Sequence, residues 1–187
     1  MVAELEIIQG IQHLFEGPTA TEFLIFCSRW FIFLLIIPVA ATSFRKRYRP
    51  LRHAAYRAAW AALVAIVLSL LLGVIFARVR PFRASDAIHL FVPPPASMYS
   101  FPSSHASVAF AVAAALIYGD VSLGLVALLI ACLVAFGRVA TGVHYPSDVI
   151  AGAFLGFIAY GLTRAGHMFY ERQRMFKRKH TVPPPLS

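Results

Sequence analysis

Residues 58–77 form twenty consecutive positions without a charge. A membrane span needs roughly 17–25 predominantly apolar residues, so this one run sets the chain against a bilayer. Uncharged apolar runs recur at 121–137 and 149–163, a shorter one follows His105, and residues 23–41 are interrupted only by Arg29. Composition agrees. Charged residues make up 13% of the 187 and hydrophobic residues 59%, where a soluble domain carries about 25% charged. The expected fold is all-α: a polytopic membrane helix bundle of about five transmembrane helices. It forms a single integral membrane domain over residues 1–172, with a basic, proline-rich tail over 173–187.

Residues 1–22 hold Glu4, Glu6, Glu16 and Glu22 and no Lys or Arg, so the positive n-region of a signal peptide is missing. Val2, Leu5, Ile8, Ile11 and Phe15 fall near helical spacing, the pattern of an amphipathic helix lying at the interface; the alternative is a frayed terminus. Cys27 and Cys132 sit inside apolar runs without metal-ligand spacing and read as small core residues. Nothing in the chain is an internal repeat, and the closing "TVPPPLS" reads as disordered.

A net charge of +9 invites a nucleic-acid partner, but the placement of the charges argues against one. Arg45, Lys46, Arg47, Arg49, Arg52 and Arg57 crowd the connection between the first two spans. Arg164, Arg172, Arg174, Lys177, Arg178 and Lys179 follow the last span. Clusters that flank spans this closely orient a protein with those segments in the cytoplasm and touch anionic lipid. Alternation of spans then puts residues 78–103 and 138–148 outside.

Basic residues on the outer side have no such explanation. Arg78, Arg80, Arg83 and Arg138 lie there, and Arg29 sits near the outer end of its span, where it can snorkel or pair. The string "FPSSHASVAF" shares that side. Ser103 is a natural N-cap for a helix beginning near Ser104 and His105. The helix N-terminus offers unpaired N–H groups to an anion, and His105 can give a proton near neutral pH. The string "GRVATGVHYPSDVIAG" adds Arg138, a turn at Gly142, His144, and Pro146 opening a helix whose first turn holds Asp148. A carboxylate there is placed to hold one ring nitrogen of His144 and leave the other as a nucleophile. Arg80, in "ARVRPF", is suited to grip phosphate oxygens. Singly, each has an ordinary reading as a cap, a turn or an interfacial arginine. Together, three spans bring them to one side of the membrane.

The order Arg80-Pro81, then Pro102-Ser103-Ser104-His105, then Arg138 with His144 and Asp148, resembles the type 2 phosphatidic acid phosphatase superfamily, which shares its site with vanadium haloperoxidases. The resemblance covers about residues 73–152. It implies that His144 is a nucleophile forming a phosphohistidine, that Asp148 orients it, and that His105 protonates the leaving oxygen. Arg80, Arg138, Ser103 and the backbone at Ser104 would hold the phosphoryl oxygens, with no metal and no cofactor. Two positions depart from the pattern: Gly73 stands where the first motif usually has lysine, and Ser104 where the second usually has glycine. One phosphate contact is therefore either missing or supplied by another residue, Arg78 or Arg83. Within the superfamily, the Gly73 departure, the small size and the runs "SFPSSHA" and "GVHYPSDV" are most similar to bacterial undecaprenyl-diphosphate phosphatases. That similarity implies a multi-pass enzyme of the bacterial cytoplasmic membrane with an outward-facing site, acting on a polyprenyl diphosphate to recycle a carrier lipid. The rivals are phosphatidylglycerophosphate, phosphatidate or lipid A phosphates as substrate, and a non-catalytic lipid carrier with a vestigial site.

Overall fold

The structure, a computed structural model, describes residues 2–44 and 49–181. Of the expected basic clusters, Arg45, Lys46 and Arg47 lie outside the described residues, as do the side chains of Arg49, Arg52, Arg178 and Lys179 and the chain end 182–187. The described residues are helical apart from turns, loops and one isolated bridge. In chain order the helices are α1 (Val2–Leu14), α2 (Pro18–Arg29), α3 (Phe31–Leu34), α4 (Ile36–Phe44), α5 (Arg49–Phe76), α6 (Pro81–Ala84), α7 (Ser104–Ile117), α8 (Val121–Ala140) and α9 (Pro146–Thr181). α9 runs unbroken across the expected boundary at 172, so the helix carries into the basic segment.

The stretches His53–Phe76, Val121–Ala140 and Pro146–Lys177 are each long and apolar enough to cross a membrane. The run expected as one first span is broken instead. Pro18–Arg29 and Phe31–Ala40 meet at a bend of 52° and together make a fourth candidate. α7 is shorter, at 14 residues, or about 21 Å of helix at 1.5 Å per residue against a hydrocarbon core of about 30 Å. It is shielded from lipid by packing at the centre of the bundle against α5, α8 and α9. Its alanines explain how three longer helices fit around it: Ala106, Ala109, Ala111, Ala113 and Ala115 are all fully buried, and small side chains let helix backbones approach closely.

Two devices position the helix ends near Ser104, Ala140 and Pro146. The first is the contact of α2 with α8. A Cβ on Gly137 would come within 2.6 Å of the Ser28 backbone nitrogen, so glycine here permits an approach no other residue allows. The second is α1, which serves as more than an interfacial float. Ile8 and Gln12 are buried, and the Gln12 amide donates to the carbonyls of His89 (2.7 Å) and Ala140 (3.1 Å) while accepting from the His89 N–H (3.1 Å). α1 is thereby tied to the long loop between α5 and α7 and to the end of α8. That loop contains the single turn α6 and is pinned by an antiparallel bridge between Val79 and Tyr99.

Candidate active site

The motif residues converge at one end of the bundle, at the start of α7, the end of α8 and the start of α9. α7 begins at Ser104, with Ser103 as its N-cap; the Ser103 hydroxyl oxygen accepts from the Ala106 N–H at 3.5 Å. The Ser103 N–H donates to the Asp148 carbonyl at 3.1 Å, so the first turns of α7 and α9 are tied together. α8 ends at Ala140, and Gly142 turns the chain with φ +76°, a conformation that favours glycine. His144 follows, its N–H donating to the Arg138 carbonyl at 3.2 Å, and Pro146 opens α9.

A cavity of about 370 Å³ lies among these ends. His144, His105, Ser104, Arg80, Arg138 and Arg29 line it, and the loop residues Val92, Pro93, Pro95, Ala96 and Ser97 complete its wall. His144 is 3% exposed and Asp148 fully buried. The His144 Nδ1–H donates to the Ser100 carbonyl at 2.8 Å. Nε2 is therefore the unprotonated nitrogen, and it stands 3.3 Å from Arg80 Nη1. Burial, which outweighs the nearby Asp148 carboxylate and is reinforced by Arg138 and Arg80, pushes the imidazole pKa down to about 4. A neutral imidazole with an unprotonated Nε2 beside cationic donors has the chemistry a nucleophile needs.

Asp148 stands against His144, with Oδ2 3.6 Å from Nδ1, and the same oxygen accepts the Tyr145 N–H at 2.9 Å. Its Oδ1 accepts Arg78 Nη1 at 2.7 Å. The Ser100 carbonyl selects the tautomer, and Asp148 stands behind the ring as a fixed negative charge. Arg78 also pairs with Glu4 at 2.7 Å, donates to the Ser147 hydroxyl at 2.6 Å and lies 3.8 Å over the Tyr145 ring. Burial works against the Glu4 carboxylate, yet hydrogen bonds from Ser147 and Arg78 hold its pKa below the usual value.

This corrects the expectation for the missing lysine. Arg78 is turned away from the cavity, and Arg83 lies exposed over Phe82 at 5.6 Å; neither lines the cavity. Gly73 lines a neighbouring cavity of about 280 Å³, which shares Arg80, Ser97, Ser104 and His144 with the first. Ser103 is likewise absent from the cavity wall: it is fully buried behind it, while Ser104 faces the cavity.

The two remaining arginines are held by neutral groups. Arg80 donates through Nε to the Ser97 carbonyl (3.0 Å) and through Nη1 to the Val143 carbonyl (3.1 Å). Arg138 donates to the Ser28 hydroxyl at 3.3 Å; Ser28 donates to Thr141 at 3.1 Å, and Thr141 to the Gly137 carbonyl at 2.7 Å. Arg138 Nε is buried with no hydrogen-bond partner among the described residues. Two desolvated cations and a helix N-terminus around one space are the kind of arrangement that can hold an anion. Among the described residues, no three His, Cys, Asp or Glu side chains come together to hold a metal ion.

The sequence reading missed Arg29, Ser28, Glu4 and the carbonyls of Ser97, Ser100 and Val143. Arg29 did carry a signal, as the one charge in its apolar run.

The signature of the PAP2 superfamily matches residues 54–169, more than half of the chain. The chain belongs to the PAP2 superfamily. An undecaprenyl-diphosphatase of Sulfolobus acidocaldarius is 37% identical over 95 residues, which cover 50% of this chain and 46% of that protein, so the match spans about half the relative's length. The undecaprenyl-diphosphatase BcrC of Bacillus subtilis is 24% identical over 151 residues, covering 81% of this chain and 76% of that one. The crystal structure of a transmembrane PAP2-type phosphatidylglycerolphosphate phosphatase from Bacillus subtilis has a TM-score of 0.66 to this chain at 23% identity, covering 89% of this chain and 85% of that chain. The fold is thus that of a multi-pass membrane PAP2 protein.

Proposed function

We propose that the protein is a lipid phosphatase that hydrolyses undecaprenyl diphosphate to undecaprenyl phosphate and inorganic phosphate. The reading is supported above all by the free Nε2 of His144 beside Arg80, in a cavity that also holds Arg138 and His105. The terminal phosphoryl group sits between Arg80, Arg138 and the N–H groups at the start of α7, with Ser104 beside it. His144 Nε2 attacks phosphorus, and the bond to the bridging oxygen breaks. That oxygen leaves on the lipid phosphate and takes the His105 proton. Water, giving its proton to His105, then attacks the phosphohistidine; the phosphorus–nitrogen bond breaks, phosphate is released and both histidines are restored. Asp148 stabilises the ring as it becomes cationic. Arginines aimed at the oxygens where charge develops supply much of the acceleration.

The names of the two relatives favour a prenyl diphosphate; the structural neighbour's name keeps phosphatidylglycerophosphate as the rival. Purified protein in detergent with EDTA should release phosphate from a prenyl diphosphate faster than from phosphatidylglycerophosphate or phosphatidate, and vanadate should inhibit it. No release from any lipid would favour a non-catalytic carrier; a strict need for added Mg²⁺ would overturn the metal-free scheme.

The site faces outward in a scheme of five crossings, α7 included. The flanking basic segments carry this orientation. A cysteine near Pro94 should react with an impermeant reagent added outside, and one near Lys177 should not; the reverse pattern would sink the topology.

A further inference from the structure

We propose that Arg29 grips the second, non-scissile phosphate of a diphosphate substrate and so selects diphosphates over monoesters. The inference rests on the phosphatase reading above and concerns what the same cavity recognises. Arg29 closes the last turn of α2, directly before the 52° bend. A cation there has an ordinary role in answering the negative end of the helix dipole, and its guanidinium also lies 5.8 Å from the Trp30 ring. Neither role requires it to face the cavity of His105 and His144, yet it does. The packing behind it is specific. Gly137 admits α2 against α8, Ser28 accepts from Arg138, and the next residue along the chain is Arg29.

Charge gives the ligand class. The cavity is lined by three arginines and two histidines, and no carboxylate lines it among the described residues. No ion pair to Arg29 is formed among the described residues within 4 Å. A lipid monoester brings one phosphoryl group of about −1.5 to −2 charge, which Arg80 and Arg138 already meet. A third cation is surplus to that group and fits a second phosphate.

Position gives the side. Gly73, the site of the missing lysine, and Arg29 line different cavities, which meet at Arg80, Ser97, Ser104 and His144. His105 lines only the cavity of Arg29. Arg29 therefore is no stand-in for the lysine. It lies with the proton donor, on the side where the leaving group departs, and in a diphosphate that leaving group is itself an anionic phosphate.

The test compares farnesyl diphosphate with farnesyl monophosphate, which share a tail and differ by one phosphate. Arg29→Ala should lower the ratio of kcat/KM for diphosphate to monophosphate roughly ten- to hundredfold, the worth of one hydrogen bond to a charged group. Arg29→Lys should restore most of it. An unchanged ratio in Arg29→Ala would overturn the assignment, and so would a ratio that Arg29→Lys leaves as low as alanine does. Wild-type protein active on the monophosphate and inert on the diphosphate would overturn the diphosphate reading itself, and this inference with it.

Discussion

Arg78 and Arg80 are two residues apart, lie on the same loop after α5 and meet opposite surroundings. Arg78 faces two carboxylates, Glu4 and Asp148, at 2.7 Å each. Arg80 meets only the carbonyls of Ser97 and Val143 and the ring of His144. Burial pushes the Arg80 pKa down to about 10, still charged at neutral pH. The difference teaches that an arginine's role is read from its partners. Where carboxylates neutralise it, it ties α1, the loop and α9 together. Where only neutral oxygens hold it, its charge is left over for an anion. Arg138 belongs with Arg80, since only the Ser28 hydroxyl accepts from it and its Nε remains open.

The comparison breaks first on activity. Arg80→Ala and Arg138→Ala should each lower kcat/KM roughly 10²–10³-fold, the usual cost of losing one donor to a developing oxyanion. Their thermal stability should be unchanged or raised, because two like charges share a desolvated space. Arg78→Ala should do the reverse. It leaves the Asp148 carboxylate buried with an unmet oxygen, a cost of about 1–3 kcal/mol, and Tm should fall while the folded fraction keeps activity within roughly tenfold. An Arg78→Ala protein of unchanged Tm and activity as low as Arg138→Ala would erase the distinction.

How much of this was legible in the sequence follows from what kind of atom does each job. The spans showed because charge is excluded from lipid over a fixed length. The break at Trp30 did not, because no proline or glycine marks it. His105, His144, Asp148, Arg80 and Arg138 showed because their spacing sets them at helix ends on one side of the membrane. Ser100 did not, because its contribution to the site is a backbone carbonyl, brought to His144 by the Val79–Tyr99 bridge and the hydrogen bond from the Ser100 N–H to the Arg78 carbonyl at 2.8 Å. Glu4 was read only as one of the acidic residues that speak against a signal peptide, since nothing local shows that its partner stands 74 residues away. The expected Asp148–His144 pair is present at 3.6 Å, and what the sequence did not show is that the same carboxylate also takes Arg78 and the Tyr145 N–H.

A smaller effect sharpens the account of His144. A nucleophile must be neutral, and a pKa lowered to about 4 keeps it so well below the usual range. Between pH 7 and pH 5, kcat/KM should stay within about twofold on this group's account. An imidazole at the ordinary value of about 6.5 would lose roughly 25-fold over the same range, and a limb of that size would mean that the ring is less desolvated than its 3% exposure implies.

The central claim is that His144 becomes covalently bonded to phosphorus while His105 only moves a proton. The direct measurement is to mix the protein with prenyl diphosphate labelled in its terminal phosphate, quench rapidly at alkaline pH and locate the label. Wild-type protein should carry acid-labile label on His144. His105→Ala, slowed roughly 10²–10⁴-fold, should still carry it. His144→Ala should carry none and show essentially no turnover, since uncatalysed phosphate-ester hydrolysis is among the slowest reactions known. Label retained in His144→Ala, or lost in His105→Ala, would contradict the assignment.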